Sequence, residues 1–311
     1  MIINVSSGLA SRMISITHAY CLCKEWNDNL VIYWPLEDCC AIGYYDVFER
    51  SQFEDINVSV YEYDLRIKMD VNQIGIRKNL KKLRIDRVLK EIIGFIRIRR
   101  QNKKFDKIAE KNEYIDYYPS TWEGGEPEKH AKRCWNTLLK AREDNKNCFL
   151  NIYCGIMPEM ESKKQVQYSE IIKIREDYIQ RAKNVLDGHD CIGFHIRRTD
   201  HKVAMSVSTV ESFVKKIEDT LKNENNQMFY LSTDDQEVER QLLSAYGEHI
   251  IVQNNKAWGR GKLTGMESAI IDMLCLSMCE KIYGSHGSAF SLFSAGYGAI
   301  ELEICGESKK N

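Results

Sequence analysis

From Cys191 onward the chain alternates short apolar runs with helically spaced ones, and this alternation restricts its fold more than any other feature. Cys191 to Ile196, Met228 to Leu231, His249 to Val252, Lys281 to Tyr283 and Ala299 to Leu302 have strand length and strand composition. Between them, Val210, Phe213, Val214, Ile217 and Leu221 recur at the spacing of one helix face, and Val238 to Tyr246, Met266 to Cys279 and Ser288 to Ala295 read as further helices. Repeated strand-helix units need crossover connections, so the pattern predicts a parallel, doubly wound sheet of the α/β class.

The chain opens in the same way. A strand at Ile2 to Val5 is followed by a turn at Ser6-Ser7-Gly8, a helix at Leu9 to Trp26 and a strand at Leu30 to Trp34. Residues 36–75 then read as irregular, a strand returns at Phe149 to Tyr153, and one helix is expected from Ile171 to Leu186. A length of 311 residues suits two domains, placed at 1–165 and 166–311. Within the first, residues 77–111 hold 14 Lys and Arg against four acids, while Ile85, Val88, Leu89, Ile92, Ile93 and Ile96 form a helical stripe. This predicts a basic amphipathic helical insert, either a solvated face or a contact for an anionic surface.

The whole chain has a formal charge of −1, so the remainder carries about −11 and a surface built throughout for polyanions is excluded. A nucleic-acid partner would rest on 77–111 alone and is not expected. No apolar run approaches the ~18 residues of a membrane span, and the first basic residue is Arg12, unlike the start of a secretory signal. Eleven scattered cysteines, an odd number without C-x-x-C, read as reduced packing residues of a cytoplasmic protein.

Charged and small residues gather where the expected strands end. His195-Ile196-Arg197-Arg198-Thr199-Asp200 follows the first strand of the second half, offering two guanidinium forks suited to phosphate oxygens and an acid to orient one of them. Thr233-Asp234-Asp235 follows the next, placed to meet a ribose or base edge or to cap the helix starting at Gln236. Ser285-His286-Gly287-Ser288 opens a helix, where small residues and backbone N–H groups make an anion pocket. In open α/β sheets ligands bind beyond the carboxyl ends of strands, and these three segments together suit a nucleotide diphosphate. The P-loop and G-x-G-x-x-G patterns are absent, as is Asp-x-Asp, so a metal-bridged diphosphate has no obvious ligands.

The order H-I-R-R-T-D, Y-L-S-T-D-D and D-M-L-C-L-S-M-C-E-K-I-Y-G-S-H-G-S resembles the three donor-site motifs of the inverting α1,2-, α1,6- and protein O-fucosyltransferase superfamily, nearest in wording to the α1,6 branch. The resemblance covers about residues 190–298, with a shorter echo at Gly8-Leu9-Ala10-Ser11-Arg12. It implies two facing Rossmann-like domains of the GT-B type, the C-terminal one binding GDP-fucose without a metal or other cofactor. By position it implies Arg197 and Arg198 on the diphosphate, with Asp200 completing the catalytic set. His195, Thr233, Asp234, Asp235, Asp272, Ser285, His286, Gly287 and Ser288 would line the donor site, Asp272 facing guanine. Gly8, Ser11 and Arg12 would lie on the acceptor side. Two positions depart from the family: Ser11 replaces an Asn, and Met205 replaces a Glu proposed as base in α1,6 members. Asp200, Glu211, His18 and an unassigned N-terminal carboxylate remain as candidate bases.

The expected activity is therefore fucosyl transfer to a glycan hydroxyl, with a lipid-linked acceptor and peripheral membrane contact through 77–111, in surface polysaccharide or glycoconjugate synthesis. A related transferase using another nucleotide sugar and a non-catalytic nucleotide- or glycan-binding subunit are the alternatives.

Overall fold

The computed structural model describes residues 1–50, 53, 55–64, 103, 107–108, 110–117, 127–152, 167–199 and 202–306. Asp200 and most of the basic stretch 77–111, including its apolar stripe, lie outside the described residues, as do 153–166, where the sequence places the domain boundary.

The strands form two parallel five-stranded sheets. The first contains β1 (Ile2–Val5), β2 (Leu30–Leu36), β3 (Val58–Asp64), β4 (Glu113–Tyr117) and β5 (Cys148–Ile152), in the spatial order β3-β2-β1-β5-β4. The second contains β6 (Cys191–Ile196), β7 (Met228–Thr233), β8 (Ile250–Ile251), β9 (Lys281–Gly284) and β10 (Glu301–Ile304), in the order β10-β9-β6-β7-β8. β5 and β6 are buried at every position, as strands covered on both faces must be. The second sheet winds outward in both directions from β6, so its order reverses between β6 and β9, and there the carboxyl ends leave an open crevice.

The helices follow from the sequence in the same manner. In chain order they are α1 (Leu9–Trp26), α2 (Tyr44–Val47), α3 (Pro127–Glu143), α4 (Tyr168–Ile171), α5 (Glu176–Leu186), α6 (Lys202–Val207), α7 (Val210–Asn223), α8 (Gln236–Tyr246), α9 (Leu263–Ser277) and α10 (Ala289–Gly298). α1 is buried on nearly all sides because it lies between the first sheet and α10 of the second half, and Asn27 ends it in the left-handed conformation. α7 is amphipathic and buries Phe213 and Ile217 against the second sheet.

Three features differ from the sequence expectation. The region read as irregular contains β3 on a sheet edge, which alternates in burial from Val58 to Tyr61 and pairs with β2 along its full length. β4 and α3 also stand where no element is predicted. The helix expected from Ile171 to Leu186 is broken. Ile174 forms an antiparallel bridge with Phe48, and the Arg175 N–H donates to the Val47 carbonyl, so the β-branched Ile172 and Ile174 lie in extended chain. Glu49 Oε1 then accepts the Glu176 N–H and starts α5.

Candidate functional site

At the β6–β9 crevice, side chains from one strand end fasten the next. Ser285 Oγ donates to the His195 carbonyl at 3.0 Å and accepts the Arg197 N–H at 2.9 Å. Thr233 Oγ1 donates to the Ile196 carbonyl at 2.7 Å and accepts the Asp235 N–H at 3.2 Å. The carboxyl ends of β6, β7 and β9 therefore form one cross-linked rim, and Arg197 emerges from its middle.

Arg197 is about a fifth exposed, with Nη1 lying 3.7 Å from Asp234 Oδ2. Asp234 is held in turn by the Arg198 N–H at 2.7 Å and by Thr199 Oγ1 at 2.6 Å. Burial pushes the Asp234 pKa up, but these donors and the Arg197 charge outweigh it and leave the carboxyl below its ordinary range. An ionised Asp234 keeps a partly exposed guanidinium at its side that can still meet an anion.

Arg198 turns away from its neighbour. Its Nη1 donates to the carbonyls of Met205 and Ser208, both at 3.3 Å, closing the C-terminal turn of α6. The two adjacent guanidiniums are thus not aimed together at one diphosphate. Asp235 takes the other course the sequence left open: Oδ1 accepts from Glu237 N–H and Val238 N–H and caps α8.

His195 is buried, its Nδ1 2.7 Å from Ser291 Oγ and 3.4 Å from Ser288 Oγ, with its ring stacked on Phe290. Burial lowers its pKa to about 3, so the imidazole is neutral and fixes the start of α10 from behind the rim. In the turn itself, Gly287 has φ +61°, a conformation that favours glycine. The His286 N–H is used by Ser208 Oγ and the Ser288 N–H by the Ser285 carbonyl. What this strand end offers an anion is the first turn of α10, which receives no side-chain cap.

Asp272 occupies a polar pocket beneath β7 that the sequence does not delineate. Its Oδ1 accepts from Tyr230 Oη at 2.7 Å and Gln253 Nε2 at 3.1 Å, while Oδ2 accepts from Ser232 Oγ at 3.1 Å and faces Lys256 Nζ at 2.7 Å. A carboxylate has about four acceptor positions, so all are engaged within the protein, and guanine can reach Asp272 only by displacing a donor. Tyr230 and Ser232 carry a sequence signal, since alternate β7 positions share a face. Gln253 and Lys256 come from a loop and carry none.

On the facing half, Gly8 begins α1 without a side-chain cap, and Ser7 before it has φ +86°. Ser11 is half-buried on the first turn of α1, and its carbonyl accepts from Ser15 Oγ. Arg12 is completely buried and bound to the protein itself: Nε donates to the Ser7 carbonyl, Nη1 to the Pro35 carbonyl and Nη2 to Glu37, and the guanidinium lies over Trp34. It secures the turn after β1 and does not reach outward to an acceptor. Of the candidate bases, His18 is buried with its pKa lowered to about 4, and Glu211 stands on the exposed first turn of α7 beside the Thr209 cap. The loop after β8 joins the two halves: the Ala41 N–H donates to the Arg260 carbonyl at 3.1 Å, and a Cβ on Gly8 would lie 4.0 Å from Arg260 Nη1.

No family model and no curated protein matches the sequence. Solved structures match its fold over nearly the whole chain. NodZ alpha-1,6-fucosyltransferase soaked with GDP-fucose superposes with a TM-score of 0.56 at 16% identity, covering 95% of this chain and 91% of that one. Fucosyltransferase NodZ from Bradyrhizobium gives a TM-score of 0.53 at 15% identity, with coverages of 94% and 91%. POFUT1 in complex with GDP gives 0.54 at 9% identity, with 98% of both chains covered. The protein has the two-sheet fold of the solved fucosyltransferases.

Proposed function

We propose that this protein is an inverting, metal-independent glycosyltransferase that moves fucose from GDP-fucose to a glycan hydroxyl. The observation that carries the reading is Arg197 at the switch point of the second sheet, its backbone N–H held by Ser285 and its guanidinium beside Asp234. The fold likeness supports it, since the similar structures include NodZ alpha-1,6-fucosyltransferase soaked with GDP-fucose and co-crystallised with GDP. In this reading residues 166–311 bind the donor, and residues 1–165 present the acceptor across the crevice. The cytoplasmic location and the lipid-linked acceptor belong to the same proposal.

In the transfer, the acceptor oxygen forms a bond to the sugar's anomeric carbon as the bond from that carbon to the β-phosphate oxygen breaks. The bonding pair leaves with GDP, and the acceptor proton passes to a base. Negative charge grows on the diphosphate, so an oriented guanidinium there stabilises the transition state more than the ground state. The first turn of α10 adds backbone donors and the positive end of a helix dipole. In the proposal this charge is met by permanent features of the protein, the Arg197 guanidinium and the first turn of α10.

A thermal-shift panel of GDP, UDP, CDP and ADP tests the donor, because a ligand at 100 times its Kd stabilises by ~2.7 kcal/mol. GDP is expected to give the largest shift, and fucose transfer from GDP-fucose is expected to persist in EDTA. A larger shift with UDP or CDP, or loss of transfer in EDTA with recovery in Mn²⁺, would overturn the reading.

A further inference from the structure

Phosphate binding at the β6–β9 rim leaves the side chain that closes the end of β7 without a role. Lys256 arrives from the loop after β8, and its side chain is 8% exposed. Its Nζ lies 2.7 Å from Asp272 Oδ2, donates to the Thr233 carbonyl at 2.8 Å and sits over the indole of Trp258 at 4.5 Å. Glu239 Oε2, buried and without a hydrogen-bond partner, is 3.7 Å away. Tyr230, Ser232 and Gln253 already hold Asp272, so the ammonium is not needed to satisfy that carboxylate. As a stabilising device the arrangement is poor, because desolvating an ion pair offsets most of its attraction. Its position is more informative. Thr233, which Lys256 binds, directly precedes Asp234, which flanks Arg197, so the ammonium is tied to the backbone next to the acid beside that guanidinium.

Resting on the nucleotide-sugar reading above, we propose that Lys256 selects the base of the donor, acting with Asp272 and Trp258. An ammonium donor beside a carboxylate acceptor matches a 6-keto purine, whose edge presents the O6 acceptor beside the N1–H donor. Adenine presents the reverse order, an amine beside a ring lone pair, and meets repulsion at both points. When a keto purine enters, the ammonium leaves Asp272 Oδ2 for O6, and the N1–H takes the vacated position. Neither charged group loses a hydrogen bond in the exchange, and the flexible lysine stem permits the short movement. Trp258 supplies a flat apolar face for the ring.

Titration calorimetry of wild type, Lys256→Met and Lys256→Arg with GDP, IDP and ADP tests this, with melting temperatures as a folding control. IDP keeps O6 and N1–H but lacks the 2-amino group. Wild type is expected to bind GDP and IDP at least tenfold tighter than ADP. Lys256→Met should weaken GDP and IDP tenfold or more and ADP less than threefold, and Lys256→Arg should keep part of the preference. An unchanged GDP:ADP ratio in Lys256→Met, or equal loss of both, overturns the assignment while leaving the donor reading intact. If wild type binds none of the three, the donor reading fails and this proposal with it. Should Lys256→Met not fold, reductive methylation of the wild-type protein decides. Labelling of Lys256 that changes with GDP and IDP but not ADP supports the role, and labelling indifferent to all three overturns it.

Discussion

Arg197 and Arg198 are adjacent in sequence and separate in use, one facing the crevice beside Asp234 and the other closing α6 through two carbonyls. Exchanging each for Lys should therefore damage different properties. Arg197→Lys replaces a fork with a point charge, and is expected to slow transfer about 10²–10³-fold (~3–4 kcal/mol) with an unchanged melting temperature. Arg198→Lys is expected to cost about 1–3 kcal/mol of stability in urea denaturation, since the lysine stem is one atom shorter and stops short of the two carbonyls that Nη1 reaches. Wild-type transfer by the first variant would remove Arg197 from the mechanism. The buried histidines make a second prediction. Burial lowers the His18 pKa to about 4, below the unfolded value of 6.5, so at intermediate pH the unfolded chain binds a proton that the folded one does not. Its contribution is complete above pH ~6.5 and is lost as pH falls toward 4, with a slope of up to ~1.4 kcal/mol per pH unit. His195 acts with the same sign, down to its lowered value of about 3. Denaturation at pH 7, 5.5 and 4.5 should show this loss. His18→Gln should flatten the slope, because a neutral amide binds no proton in either state. At this scale the sequence shows which residue types gather at the strand ends, but not where each side chain turns. Arg198, Asp235 and Arg12 have the expected chemistry and spend it on carbonyls, helix N–H groups and Glu37; the first two turn to partners within ten residues, and Arg12 reaches 25 residues along the chain to Glu37.

The loop between β8 and α9 shows how an element without regular structure can hold a site. It carries Gln253, Lys256, Trp258 and Arg260, and it is pressed against the first turn of α9 at Gly265, where a Cβ would stand 2.0 Å from the Gly259 carbonyl oxygen. Gly259 itself has φ +97°. Gly265→Ala must push this loop outward, because the obstacle is backbone and cannot rotate away. It is expected to cost about 1–3 kcal/mol and to weaken GDP binding, read as a lower melting temperature without ligand and a higher Kd with it. A variant with wild-type affinity would show that the loop tolerates displacement. Elements were legible where one physical signal dominated. Continuous apolar runs between helical stripes mark the second sheet because strands buried on both faces admit little else. β3 was hidden by the tyrosines and acids of an edge strand, whose alternation ends at Tyr61. The break between α4 and α5 depends on Phe48 pairing with Ile174, a contact that local spacing does not reveal.

For the whole molecule, the two sheets meet through α1 and α10 and through the bond from Ala41 to Arg260, which brings their carboxyl ends to a common crevice. Charge is divided along the chain: residues 77–111 carry about +10 within a total of −1. The described part of the same half has a basic surface, a shallow groove on α3 lined by Lys129, Lys132, Arg133 and Lys140. Among the described residues no helix is long and apolar enough to cross a membrane, and the basic residues offer charge to an anionic surface. Each basic residue close to such a surface contributes ~1 kcal/mol, and several acting together suffice for measurable binding that salt then screens. The protein is therefore expected to sediment with vesicles containing anionic lipid, not with neutral ones, and progressively less as salt rises from 0.05 to ~0.5 M. Replacing Lys129, Lys132, Arg133 and Lys140 with Glu should reduce the bound fraction. Transfer to a soluble acceptor fragment should continue, because the proposed donor site is built on the other sheet. Equal sedimentation with both kinds of vesicle, or none with either, would return the basic surfaces to solvated faces. Loss of soluble transfer in the four-Glu variant would mean that α3 belongs to the acceptor site.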